Sequence, residues 1–354
     1  GYHDANQKKL SPIINNKQLR NGRRRNRCSV LLWLPAWTCH YNGVLMRSKT
    51  HHTYNPIEEE IAVSALTASG RFRVLRKINL RDDPRLQHKT RKLATGICID
   101  TETTGLNHSS DTVIELGIVV FEFNNDTGDI IRIAGNYSGF EDPKRPIPDE
   151  ITKITSITNE MVHGQRFNDE IIEKIAANAS IVVAHNAAFD RPFVEKRFPA
   201  FQHLSWFCTA SQIDWKLEGI SSRSLEFILY KYGYYVDAHR ALNDAEGLLG
   251  VLLEQLPISK APIFKTLLAN GSENIAKINA INAPYERKDA LKERGYRWND
   301  GSNGTQKCWN IIVPESGEGE EVEFLSKHIY PAGNTSAVEI KRISPVDRFS
   351  SRDK

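Results

Sequence analysis

No stretch of the 354-residue sequence holds the apolar run that a membrane-crossing helix needs. Cysteine is sparse: five residues, Cys28, Cys39, Cys98, Cys208 and Cys308, with none at the close spacing of metal-ligand pairs. A zinc site is therefore poorly supported, and a reduced, cytoplasmic protein without a membrane partner is the expectation. Internal repeats are absent too. Ser29 to Trp37 follows Arg-rich text in the charge order of a signal peptide, but it is short, and Pro35 and two Trp interrupt it. Gly1 as the first residue is expected of a trimmed or processed chain.

What is present is unevenly charged. Residues 1–94 carry 19 Lys and Arg against 6 Asp and Glu, so an overall net charge of +4 hides an acidic remainder. A basic leader before an acidic body is compatible with a polyanionic partner. The text divides into a basic, flexible leader at 1–55 and a short helix-strand extension at 56–93, whose extended part is read at Phe72, Val74 and Leu75. An α/β domain at 94–257 and a small α+β domain at 258–354 follow. Within the third unit, Thr112 to Phe123 and Asp129 to Tyr137 flank the turn Asn124 to Gly128. Helix and strand then alternate, which predicts helices on both faces of a mixed sheet. In the last unit a helix at 261–269, a strand within 274–283, a polar helix ending at Gly295 and a hairpin through Trp298 and Trp309 precede an acidic loop at 315–321 and a final helix.

The chain is organised around Leu93 to Leu106, LATGICIDTETTGL. An apolar strand ends in Asp100 and Glu102, which point the same way because side chains alternate along a strand. Two carboxylates that close repel unless a cation lies between them. Asp190 follows HNAAF at the exit of a second buried strand, and Asp244 lies early in a helix, with His239 on the loop ahead of it. Each has a plain structural role open to it, as helix cap, solvated acid or surface ring. Together, four carboxylates suit hard divalent cations, which prefer oxygen ligands.

The blocks IDTETTGL, HNAAFD and HRALNDA, at 99–106, 185–190 and 239–245, resemble the DEDDh group of 3'-to-5' exonucleases in order, spacing and local structure. This is the superfamily of the proofreading subunit of replicative polymerases. The resemblance implies an α/β, ribonuclease H-like mixed sheet flanked by helices. It implies metal ligation by Asp100, Glu102, Asp190 and Asp244, with two Mg²⁺ or Mn²⁺ ions and Asp100 between them, and a general base at His239. It also implies contacts to the terminal nucleotide from Thr103, a wedge at Leu106, and pocket residues Asn186 and Phe189. Arg240, four before Asp244, disfavours the variant with Tyr as base.

The C-terminal text around Lys288 to Trp298 is similar to a small domain appended to a bacterial subgroup of these enzymes. Arg297, Trp298, Lys307 and Trp309 form either a cation-and-ring platform for single strands or an ordinary hairpin core. The expected substrate is single-stranded or 3'-frayed nucleic acid, DNA before RNA, with a polymerase or repair partner. An RNA-trimming or short-oligonucleotide enzyme, and an inactive nucleic-acid-binding adaptor, are the alternatives. A glycosidase needs only two carboxylates and leaves Asp190 and Asp244 without a purpose.

Overall fold

The computed structural model describes residues 56–81, 83–86, 93–302, 304–330 and 336–353. The leader expected at 1–55 lies outside them. Helix α1 (Pro56–Ala68) comes first. The extended segment expected at 72–75 forms later, where Arg76 and Lys77 pair in parallel with Tyr234 and Tyr235. The reason is Arg73, whose guanidinium donates to the carbonyls of Tyr230 and Lys231 and fixes the approach to that pairing.

The central sheet begins as an antiparallel meander of β1 (Leu93–Thr103), β2 (Val113–Asn124) and β3 (Ile130–Phe140). Helix α2 (Asp169–Asn178), capped by the Asn168 side chain, leads to β4 (Ile181–Ala184). Then come α3 (Ala187–Arg197), β5 (Ser205–Cys208), α4 (Leu225–Tyr232) and α5 (Ala241–Leu252). Strand order is β3-β2-β1-β4-β5, with β4 parallel to β1 and β5 parallel to β4, so β2 alone runs against the rest.

Strand β1 is central and covered on both faces. Ile97 and Ile99 enter the core under α2 and α3, while Cys98 enters the core under α4 and α5. Two-sided burial is why its sequence reads as a continuous apolar run. Cys98 is fully buried, as a small hydrophobe should be.

Helix α6 (Ile263–Ser272) stays with this first body: Phe264 packs edge-on against Phe121 and Phe123, with ring centroids 5.4 and 5.1 Å apart. The apolar end of β2 needs that cover, so core packing continues past residue 257. A second sheet follows. Strand β6 (Ile275–Ala280), helix α7 (Lys288–Arg294), strands β7 (Arg297–Asn299) and β8 (Cys308–Pro314), helix α8 (Glu318–Phe324) and β9 (Val338–Ile343) build an antiparallel sheet of order β9-β6-β8-β7.

Two expectations change here. The acidic stretch at 315–321 is largely helical, because Glu318, Glu320 and Glu321 occupy the first turn of α8, where the helix dipole favours negative charge. Arg294 and Arg342 bind the same acids. Strand β9 also follows the helix through Phe324 to Ile329 expected as the last element, and its alternation of Val338 and Ile340 with Glu339 and Lys341 matches the period of a strand.

The last residues return to the first body. Arg191 of α3, fully buried, pairs with Glu195 at 2.7 Å and donates to the carbonyls of Arg348 and Val346. No helix among the described residues is long and apolar enough to cross a membrane.

Candidate active site

Strands β1 and β4 are parallel, so their C-terminal ends lie at one edge of the sheet, and the acidic residues gather there. Carboxylate oxygens of Asp100 and Glu102, on β1, and of Asp244, on α5, all lie within 4.8 Å of one another. The strand sets the first two on one side, as the i, i+2 spacing requires. Helix α5 reaches them because Gly117, paired with Asp100 across the β1–β2 ladder, has no side chain. A Cβ there would lie 2.1 to 2.3 Å from backbone atoms of Ala241 and Leu242.

Asp190 enters from the first turn of α3 and is 2% exposed. It is not within the tight three-carboxylate group. Its Oδ1 accepts hydrogen bonds from the Thr101 backbone N–H at 3.1 Å and from the Thr101 hydroxyl at 2.8 Å. Thr101 is the β1 residue between the two acids, so one strand positions three of the four carboxylates.

Electrostatics strain this group. Burial, and then the charges of Asp190, Asp244 and Glu102, push the Asp100 carboxyl well above its usual range. Burial and then the Asp244 charge raise Glu102 to about 8. Asp190 is raised by burial, against the opposing Thr101 hydrogen bonds. Asp244 is raised by burial to about 6, while backbone hydrogen bonds from Arg240 and His239 oppose the shift. Repulsion shared by converging carboxylates is relieved by a divalent cation among them. An all-oxygen donor set fits Mg²⁺ or Mn²⁺.

His239 sits on the loop before α5, exposed, with a left-handed backbone at φ 61°. Its neighbour Arg240 donates its backbone N–H to Asp244 Oδ2 at 3.2 Å, so the His239 loop is tied to a member of the acidic group. A fifth carboxylate, Glu115, stands opposite Glu102 on β2 and is 1% exposed. Its charge is met by the Arg240 guanidinium at 3.0 Å and the Ala241 N–H at 3.2 Å. Sequence reading passed over both Glu115 and Thr101. The only available signal was a lone acid inside an apolar strand, which spacing does not connect to Arg240 more than a hundred residues away.

The remaining expected residues divide. Leu106 is 79% exposed at the turn after β1, not in a core. Asn186 is exposed at the N-terminus of α3, with φ 73°. Phe189 is half-buried and packs on Phe193, with ring centroids 5.3 Å apart. Thr103 is buried, and its hydroxyl donates to the Gly105 carbonyl at 2.6 Å, so its side chain shapes the turn. His185, at the end of β4, must donate from Nε2 to the Arg223 carbonyl at 2.8 Å, so its Nδ1 accepts from the Thr209 hydroxyl at 2.8 Å. Burial lowers its pKa, so it is a neutral brace.

A five-stranded mixed sheet with one reversed strand, and carboxylates from β1, α3 and α5 at one edge, define a ribonuclease H-like nuclease fold. The exonuclease family profile RNase_T matches residues 97–252. DNA polymerase III subunit epsilon of Treponema pallidum is 30% identical over 199 residues, covering 53% of this chain and 84% of that protein. The chain belongs to this DEDDh, DnaQ-like exonuclease family. The PolC-type DNA polymerase III of Latilactobacillus sakei is 34% identical over 304 residues, covering 71% of this chain but 20% of the polymerase. The chain thus spans a small part of the PolC-type polymerases it matches; for that of Clostridium perfringens the share is 7%. Among solved structures, exonuclease X in complex with 5'-overhanging duplex DNA has 27% identity and a TM-score of 0.34, covering 44% of this chain and 89% of that one.

Proposed function

We propose that the chain is a 3'-to-5' exonuclease that releases nucleoside 5'-monophosphates from single-stranded or frayed DNA ends, using two Mg²⁺ or Mn²⁺ ions. The observation that carries this reading is the gathering of Asp100, Glu102 and Asp244 oxygens within 4.8 Å, with Asp190 held beside them by Thr101. Asp100, Glu102, Asp190 and Asp244 are the residues that would hold the ions. When bound, such ions supply charge stabilisation to a phosphodiester and its leaving oxygen.

The protein's own residues do the rest. His239, exposed on a loop tied to Asp244, accepts the proton of the attacking water, a task suited to imidazole near neutral pH. Oxygen of that water bonds to phosphorus, the bond to the 3'-oxygen of the penultimate nucleotide breaks, and that oxygen takes a proton from solvent while His239 returns its own to solvent. Leu106, projecting from the turn beside the acids, packs against the last base, while Asn186 and Phe189 border the terminal nucleotide. Contacts of this kind read backbone and an accessible end, so sequence preference is low.

In the same reading residues 94–257, covered by α6, carry the chemistry, Arg76 to Leu80 and Leu86 brace α4 and α5, and the second sheet forms an accessory unit. A replicative polymerase or repair assembly is the partner class. The test is 5'-labelled single-stranded DNA and RNA with Mg²⁺, Mn²⁺ or chelator, beside an Asp100→Ala, Asp244→Ala double variant. A metal-dependent ladder that shortens from the 3' end and vanishes in the variant is expected, faster on DNA. Intact DNA under every metal condition overturns the reading.

A further inference from the structure

The second sheet has one covered face and one open face. Ala276, Ile278 and Ala280 of β6 point into the core beneath α7 and α8, so Ile275, Lys277 and Asn279 point the other way. Residues directly paired across strands share a face, which adds Lys341 opposite Lys277, and Asn310 opposite both Asn279 and Arg297. Trp309 belongs to the core side. Trp298, its direct partner on the edge strand with ring centroids 5.6 Å apart, shares that side, but at 54% exposed it reaches the sheet rim and borders the open face from there.

Two adjoining cavities occupy the open face and share Lys277. One, about 640 Å³, is lined by Lys277, Lys341, three asparagines (Asn279, Asn299, Asn310) and Trp298. The other, about 500 Å³, is lined by Ile275, Ile312 and Ile343 together with Lys277, Gln212 and Arg348. Its near end meets the catalytic body: Gln212 Oε1 accepts from the backbone of Cys208 at the end of β5, and the next residue, Thr209, holds His185.

The charges on this face ask for an anion. Lys277 and Lys341 are direct cross-strand neighbours, and the Lys341 ammonium already donates to the Arg352 carbonyl at 2.9 Å, so Lys277 is the cation this face presents to an anion. Lys277 has no carboxylate partner among the described residues, and Glu339 is the one acid lining the first cavity. Arg348 is 4% exposed, its Nη atoms donate to the carbonyls of Gly271 and Glu273, and its Nε has no acceptor among the described residues. Gln212 Nε2 is likewise without one.

Cations set among amide groups, an indole and an isoleucine patch match a single strand of nucleic acid. Its phosphates meet the cations, its bases lie on apolar and aromatic surface, and base edges reach the amides. We infer that the open face of the second sheet is a track for the 5'-ward part of a single-stranded substrate, engaged while the 3' end occupies the acidic edge. The direction of the strand rests on the function proposed above; the binding does not.

The test uses the full chain carrying Asp100→Ala and Asp244→Ala, in chelator, so that no hydrolysis is needed. Fluorescence anisotropy compares DNA strands of about 20 and about 4 nucleotides, lengths that exceed and fall short of such a track. The long strand binds at least roughly tenfold tighter, and adding Lys277→Glu with Lys341→Glu removes most of that gain. It also lowers the slope of log affinity against log salt by about 0.7, as expected for the lost phosphate contact at Lys277. An unchanged length gain and slope overturn the inference. Should the charge reversals unfold the sheet, lysine acetylation of the natural chain replaces them. A long strand shields Lys277 but not exposed Lys265, and equal reactivity of Lys277 with and without DNA overturns the track. Loss of the track leaves the ladder assay untouched, and a missing ladder leaves these binding results standing.

Discussion

Thr101 carries no charge, yet it governs the most buried of the four expected ligand carboxylates. Its hydroxyl and backbone N–H are both donors to Asp190 Oδ1, and they favour the ionised form that burial opposes. Thr101→Val keeps the shape and the backbone donor but deletes the hydroxyl. The expected outcome is a roughly tenfold weaker activating-metal affinity, the low end of what outer-shell partners contribute. A titration of activity against Mg²⁺ checks it, with thermal unfolding in chelator to confirm an intact fold. An unchanged activation constant would assign Thr101 to packing alone. Arg240 works by the same logic on Glu115, because a buried acid facing Glu102 would otherwise add to the repulsion there. Both contacts were invisible in the sequence. Thr101 looked like a spacer between two acids, and its partner lies 89 residues further on.

Among elements, the contact between β2 and α5 decides whether a site exists. Strand β2 supplies no ligand, but Gly117 lets the first turn of α5 sit directly on the sheet beside Asp100. Gly117→Ala forces a Cβ into the backbone of Ala241 and Leu242, which must move away. We expect a stability loss of about 1 to 3 kcal/mol, typical of overpacking, read from urea unfolding. Activity at a temperature where the variant is fully folded falls further than that, because Asp244 rides on the displaced helix. Retained activity in a folded variant would show that the helix can shift without moving its carboxylate. The elements themselves were legible: the meander, β4, β5 and α5 form where apolar periodicity and turn residues place them. Strand β9 was missed although its alternation is present, because four residues of strand period are weak against a preceding helical run.

For the whole molecule, the carboxylate group sets how stability depends on pH. Without metal, Glu102 titrates near 8 and Asp244 near 6 in the folded chain, both above their values in an unfolded chain. Between about pH 4 and those values the folded protein keeps protons that the unfolded chain releases, so the metal-free fold loses stability as pH rises. The loss is complete once pH passes the folded values. Thermal midpoints in chelator should therefore fall from about pH 5 to about pH 8, and Mg²⁺ should flatten or reverse the trend. A midpoint that rises with pH in chelator, or that ignores Mg²⁺, would show that the acids are paired by something other than a cation. The second sheet belongs at this scale too, joined to the helix of Asp190 through Arg191, Arg348 and the Arg352–Glu195 pair.

Local order in the chain was enough to establish the acid pair on one side of β1, the loop position of His239 and the family resemblance. Each depends on residues close together in sequence and on the period of one element. The partner of a buried polar group is different, because folding chooses it across long separations. Glu115 with Arg240, Thr101 with Asp190, α6 over Phe121 and Phe123, and Lys277 beside Lys341 all arise when the sheets close. Spacing along the chain carries no trace of them, since a buried charge or an open face acquires its meaning only from what packs against it.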